Sequence, residues 1–201
     1  MAIPDSRSGR PSQPQLGHSP PLSTDRSGAD LLTGAVGWLS LTGNHPVRAE
    51  LSASEGYSHV LVGAGSVLDA ASVAKAGEAG ERFYVSPVLQ GRAIPAAKEL
   101  GMASVLGCAT PTEMIAAYAA GAAAVRVLPA TLWNPDDLAN VLRAMPFLAL
   151  VPTGGIGTEN AAAWLAAGST TLGIGSSLTA AEGNVADLRR AISPHSTGRN
   201  P

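Results

Sequence analysis

The sequence predicts an α/β fold, a parallel (β/α)8 barrel, and three observations carry the prediction. Six short β-branched, apolar runs begin near residues 60, 83, 104, 124, 148 and 171, spaced 20 to 24 residues apart. Ala/Leu-rich stretches with helical apolar spacing separate them. The runs are apolar on both faces, as strands are when helices cover one side and a barrel interior the other. Compact βα units of about 22 residues suit a barrel better than a doubly wound sheet.

Taken in order, the runs are HVLVGAG, FYVSP, SVLGCA, AVRVLPA, LALVPTGG and TTLGIGS. The helices expected between them span 69–79, 92–100, 111–120, 135–144 and 158–167. Asp69, Thr110 and Asn134 are N-cap residues by type and place, and a proline follows each of the last two. Thr110 and Glu113 have capping-box spacing. Gly80, Gly101, Gly121 and Gly168 fall just past helix ends, where the chain turns left-handed.

Six units are not eight, so the barrel is expected to be incomplete at its N-terminal units. Residues 29–58 have room for one helix (29–36) and one or two short strands (38–42 and 47–51). Two full units would need about 44 residues. Residues 1–28 carry five prolines and almost no large apolar side chain, so they are expected to be a disordered tail. The barrel domain then spans 29–192, closing on a short helix at 181–192, and 193–201 are expected to fray.

Composition narrows the function. The chain has 201 residues, 45% of them apolar, enough for a core, and a net charge of −2 without a basic stripe argues against nucleic acid as a partner. The longest nearly apolar run, 114–125, is well short of the ~20 residues that span a bilayer. The N-terminus lacks the apolar core of a secretory signal. A single cysteine, Cys108, rules out an internal disulfide framework and fits a reducing cytoplasm. It reads as a small packed hydrophobe rather than a nucleophile. No pair among His18, His45, His59 and His195 has metal-ligand spacing, so no metal is expected.

In parallel barrels, chemistry gathers at the C-terminal ends of the strands. Those ends are Gly63 to Ser66, Ser86-Pro87, Gly107 to Thr110, Arg126 to Pro129, Pro152 to Gly155 and Gly173 to Ser177. The last two are rich in glycine, which lets backbone N–H groups approach an anion, and a helix N-terminus beyond each adds partial positive charge. They read either as a phosphate site or as plain tight turns. Trp133 is a candidate wall for the pocket, whereas Trp164 reads as helix packing.

From Val62 to about Thr179 the motifs G-A-G-S-V-L, S-P, G-C-A-T-P-T-E, A-V-R-V-L-P-A, P-T-G-G-I and I-G-S-S follow one another. This order resembles the 2-keto-3-deoxy-6-phosphogluconate (KDPG) and 4-hydroxy-2-oxoglutarate (KHG) aldolase family. The resemblance implies a class I aldolase barrel that splits a 2-keto-3-deoxy-6-phospho sugar acid, or 4-hydroxy-2-oxoglutarate, into pyruvate and an aldehyde. It implies that Ser66, Pro87, Thr153 and Ser177 line the pyruvoyl pocket or its approach. It implies phosphate binding by the backbone around Gly154, Gly155, Gly175 and Ser176. It implies a homotrimer without metal or organic cofactor, acting on a small phosphorylated keto acid.

Two departures set this chain apart. The family's imine-forming lysine stands in a K-x-x-P-A strand, and here Arg126 occupies its place. A guanidinium stays protonated and cannot attack a carbonyl as a neutral amine does. The only lysines, Lys75 and Lys98, fall in expected outer helices. The family's E-[VI]-T-L-R-T strand, source of its proton-shuttling glutamate and carboxylate-gripping arginine, has no counterpart motif; Glu50 and Glu55 lack that context. Arg126 itself reads as a carboxylate or phosphate contact, or as drift. Three functions follow: an aldolase, a catalytically silent binder of a phosphosugar acid, or a decayed gene product.

Overall fold

Residue alternation sorts the chain into layers. A computed structural model describes residues 37–42 and 60–175, with Ser177, Asp187 and Arg190; for 37–42 and 60–62 it describes the backbone. The strands are β1 (Gly37–Thr42), β2 (Val60–Gly65), β3 (Phe83–Ser86), β4 (Ala103–Cys108), β5 (Ala124–Val127) and β6 (Leu150–Pro152). They form one parallel sheet in strict chain order. Beyond β6, Thr153 bridges in parallel to Gly173, so the TTLGIGS run stands next in the wall.

The helices between them are α1 (Ala70–Glu78), α2 (Ile94–Glu99), α3 (Pro111–Ala120), α4 (Pro135–Ala144) and α5 (Ala161–Ala166). Their starts follow local chemistry. Asp69 accepts from the N–H of Ser72 at 2.7 Å. Thr110 with Glu113 and Asn134 with Asp137 make full capping boxes. Gly121 closes α3 at φ 95°, a conformation costly for any residue with a Cβ.

Two helices differ from expectation. The stretch 92–100 is a 3-10 turn (Gly91–Ala93) leading into α2, because Pro95 fits only a first helical turn. The last expected helix, 158–167, begins only at Ala161. Asn160 does not cap it by side chain but turns back onto the preceding loop.

On the strands, Phe83, Val85, Ala103, Val105, Ala124 and Val151 form one buried cluster with no helical member, the barrel interior. Their neighbours Tyr84, Leu106, Cys108, Val125, Val127 and Leu150 pack with Val73, Ile94, Met114 and Leu138 of the helices. The sheet is therefore buried on both sides, as the apolar runs require.

At the N-terminal side, the expected strand 38–42 is β1, paired residue by residue with β2 from Gly37↔Val60 to Thr42↔Gly65. The expected tail 1–28, helix 29–36, strand 47–51 and frayed end 193–201 lie outside the described residues. Within 181–192, the described Asp187 and Arg190 are helical and paired at 3.1 Å.

Candidate functional site

Interior residues alternate toward the C-terminal ends of the strands, and this places Arg126. It lies two residues beyond Ala124 and pairs in register with Gly107 on β4 and Val151 on β6. Its side chain thus enters the interior, half-buried. Burial lowers its pKa from the ordinary arginine value without bringing any partner charge. No interior position on the described strands holds a carboxylate, and no described carboxylate pairs with Arg126.

Beside it the wall is closed by backbone rather than side chain. A Cβ on Gly107 would strike the carbonyl of Pro87, so the end of β4 lies directly against the segment following β3. Pro87 is half-buried there. Ser66 ends β2, exposed, with a left-handed φ of 59°. The two lysines are exposed on outer helices, Lys75 on α1 and Lys98 on α2. The Lys98 amine stands beside Gly121, at the far end of α3 from the strand tips. Neither faces the interior.

The β6 end is built differently. Thr153 is buried, its hydroxyl donates to the Val151 carbonyl at 3.1 Å, and its own carbonyl accepts from the Ala130 N–H at 2.8 Å. That second bond ties β6 to the Leu128-Pro129-Ala130 loop after Arg126, where the Leu128–Pro129 peptide is cis. A Cβ on Gly173 would overlap the Thr153 side chain, so the two ends touch. Gly154 and Gly155 follow at φ 94° and 72°.

Two side chains then fix the loop. Asn160 accepts from the Gly157 N–H at 3.0 Å and donates to the Gly155 carbonyl at 2.8 Å. Ser177 donates to the Ile156 carbonyl at 2.7 Å, joining the β6 loop to the 173–177 segment. Across a trans peptide the carbonyl and the next N–H point opposite ways, so the Ile156 N–H is aimed away from Asn160. Among the described residues, the N–H groups of Gly154, Gly155 and Ile156 have no acceptor. Gly175 is exposed, with nothing within 4 Å of where a Cβ would stand. Ser176 lies outside the described residues. Because α5 starts only at Ala161, donors at this end belong to the loop and not to a helix terminus, contrary to expectation.

The structure thus brings Arg126, Thr153, Gly154, Gly155 and Ser177 to one end of three adjacent strand positions. Pro87 and Ser66 lie further round the wall. Trp133 does not join them. Its indole N–H donates to the Ala109 carbonyl at 3.2 Å, and its ring lines an open groove of about 450 Å³ between α3 and α4, with Leu132, Asp137 and Asn140. Asn160 is the residue that sequence reasoning missed. An asparagine just before a helix reads as an N-cap, and only the Gly-Gly-Ile-Gly run ahead of it hints at another use.

Cys108 faces the helices, and burial, with Glu113 nearby, pushes its thiol up to about 12. It is no nucleophile at neutral pH. Among the described residues no group of acids, histidines and cysteines forms a metal-ligand cluster, and no helix is long and apolar enough to cross a membrane.

A parallel sheet in chain order, helices on its outer face and polar loops gathered beyond the strand tips define a TIM-type α/β barrel. The family model described as KDPG and KHG aldolase matches residues 34–191. The "Probable 2-dehydro-3-deoxy-6-phosphogalactonate aldolase" of Rhizobium meliloti (strain 1021) is 33% identical over 172 residues, covering 79% of this chain and 81% of that protein. Two solved structures are similar over 84% of this chain. One is described as native KDPGal structure (TM-score 0.67, 28% identity, 85% of that chain covered). The other is a 4-hydroxy-2-oxoglutarate aldolase/2-deydro-3-deoxyphosphogluconate aldolase from TTHB1 (TM-score 0.65, 30% identity, 84% covered). The chain belongs to the KDPG and KHG aldolase family.

Membership sharpens the reading of β1. This strand precedes and pairs with the Gly-Ala-Gly-Ser strand, and its sequence is Gly-Trp-Leu-Ser-Leu-Thr. A strand is present next to β2, without a glutamate or an arginine in it.

Proposed function

We propose that this chain binds a phosphorylated keto acid of the kind its family acts on, without forming an imine and without cleaving it. One observation carries the reading: Arg126 faces the interior in the strand where the motif order puts the family's imine-forming lysine, and neither lysine of the chain faces the interior. An imine needs a neutral amine, and without one the aldol carbanion has no electron sink. In this reading Gly154, Gly155, Gly175 and Ser176 hold the phosphate through backbone N–H groups. Ser66, Pro87, Thr153 and Ser177 line the approach to Arg126. The three unpartnered N–H groups at 154–156 support the phosphate role.

The competing reading, an active aldolase, rests on motif order and on the similarity to the Rhizobium protein. Borohydride reduction in the presence of pyruvate separates the two. The intact mass should stay unchanged, and a single reduced-pyruvate adduct would restore the family reaction. The proposal extends to a cytoplasmic homotrimer needing no metal or organic cofactor. Light scattering on the eluting protein should give three times the chain mass, and a monomer would remove that part.

A further inference from the structure

We propose that Arg126 makes the barrel interior a carboxylate site, so that the ligand is a phosphorylated sugar acid whose 2-keto group is dispensable. The inference rests on the binding reading above and names its substrate class. A family aldolase selects a ketone because its lysine bonds to the keto carbon. Arg126 bonds to no carbon; it presents a planar fork of N–H donors. A ketone offers that fork one neutral oxygen, whereas a carboxylate offers two charged ones in matching geometry.

The surroundings leave the fork without internal use. The described interior positions beside it are Gly107 on β4 and Val151 on β6, and no carboxylate stands on any of them. A half-buried guanidinium with no counter-charge among the described residues attracts an anion more strongly than an exposed one. On the β4 side the backbone of Pro87 stands against Gly107, so the wall beside the arginine there is backbone and carries no competing charge.

A second anion subsite lies on the neighbouring strand. Gly154 is three residues past Val151, the register partner of Arg126, or about 10 Å at the usual strand rise. A short carbon chain with a carboxylate at one end and a phosphate at the other bridges a separation of that order. The phosphate belongs at the outer subsite, where the 154–156 N–H groups have no acceptor among the described residues and Asn160 and Ser177 engage the Gly155 and Ile156 carbonyls. The carboxylate is left for Arg126. Neither register neighbour of the arginine, Gly107 or Val151, has a side-chain polar group to distinguish C=O from CH–OH at the adjacent carbon.

Calorimetry on the full chain with three matched ligands tests this. They are 3-deoxy-6-phosphogluconate (carboxylate, hydroxyl at C2), 2-keto-3-deoxy-6-phosphogluconate (carboxylate, ketone) and glucitol 6-phosphate (no carboxylate). The two acids should bind within about threefold of each other and the glucitol ester at least about tenfold more weakly, as loss of a charge-assisted pair requires. Arg126→Gln should bring all three together by weakening the acids alone. Its unchanged affinity for glucitol 6-phosphate would show the outer subsite still folded, and Arg126→Lys should fall between. Equal binding of all three by the wild type would overturn the carboxylate assignment and leave the binding reading standing. A keto acid bound about tenfold tighter than 3-deoxy-6-phosphogluconate would overturn the dispensable ketone. Binding of none of the three would overturn both readings.

Discussion

At the β6 end of the barrel mouth, every carbonyl of the Gly155-Ile156 pair is held by a side chain, and the N–H groups of 154–156 have no acceptor among the described residues. At the β5 end, one long cation reaches into an apolar interior with no hydrogen-bonded support among the described residues. The two ends share a wall, since Ala130 donates to Thr153. Yet one is organised by many short-range contacts and the other depends on a single side chain. A multi-contact loop tolerates loss of any one group. A reacting centre is erased by one substitution, because an imine cannot be shared among neighbours.

The largest expected effect therefore comes from restoring that one side chain. Wild-type protein should release pyruvate from the keto acid only at background in a coupled dehydrogenase assay. Arg126→Lys places an amine where burial lowers the arginine pKa, and the same burial lowers a lysine pKa toward the neutral form. The variant should trap pyruvate under borohydride. Its turnover should remain about 10²–10⁴-fold below that of an intact family aldolase, the usual cost of lacking a general base. Full turnover by the variant would mean that a carboxylate outside β1 serves as base, and the contrast between the two ends would shrink to Arg126 alone.

A second pair of substitutions tests whether the β5 side is closed by backbone and the β6 side open. Gly107→Ala drives a methyl into the Pro87 carbonyl, which cannot rotate aside. The expected loss is about 1–3 kcal/mol in denaturant unfolding, typical of overpacking. Gly175→Ala meets nothing within 4 Å and should stay within about 0.5 kcal/mol of wild type. Equal effects would show that the two ends do not differ in packing.

The sequence made the local features readable and the long-range ones not. Thr110 with Glu113 and Asn134 with Asp137 follow from spacing within one turn, so both capping boxes stand where that spacing puts them. Strand starts at residues 60, 83 and 124 follow from apolar runs bounded by polar turns. Arg126 was visible because a strand, a proline and an alanine frame it. The pairing of β1 with β2 was not, because Gly-Trp-Leu-Ser-Leu-Thr is six residues long and its pairing partner begins 23 residues on. Asn160 goes unnoticed and Trp133 is misplaced for a related reason. Each bonds to a carbonyl that only the fold brings near, five residues away for Asn160 and 24 for Trp133.

Asn160→Ala should separate loop order from fold stability. It removes two bonds at a half-buried position, worth about 1 kcal/mol together after exchange with water. With the Gly155 carbonyl released, affinity for glucitol 6-phosphate should drop by about fivefold to tenfold, while the melting temperature falls by only a few degrees. Asn160→Asp keeps the bond from Gly157 and loses the one to Gly155, so it should weaken binding while preserving the melt. If the melt collapses and the affinity holds, the clamp serves packing, and the β6 end is no better organised for a ligand than the β5 end.

The smallest effect lies at the cap of α3, in the loop that follows β4. Glu113 accepts from the N–H groups of Ala109 and Thr110 at 2.8 and 2.9 Å and from the Thr110 hydroxyl at 3.0 Å. The Ala109 bond first, and the Thr110 hydroxyl second, lower its pKa below the usual glutamate value. A carboxyl with a depressed folded pKa stabilises above its unfolded value near 4.5 and loses that contribution as pH falls through the folded value. Glu113→Gln keeps an acceptor oxygen but not the charge, and solvent screens the site, so the difference at pH 7 should be under about 1 kcal/mol. Thermal melts of the two proteins should converge as the pH is taken below about 4. A gap that persists in acid would assign the effect to geometry rather than charge. Because Ala109 is also the acceptor for Trp133, it would then point to the β4 loop as the element that keeps the Arg126 side of the mouth in place.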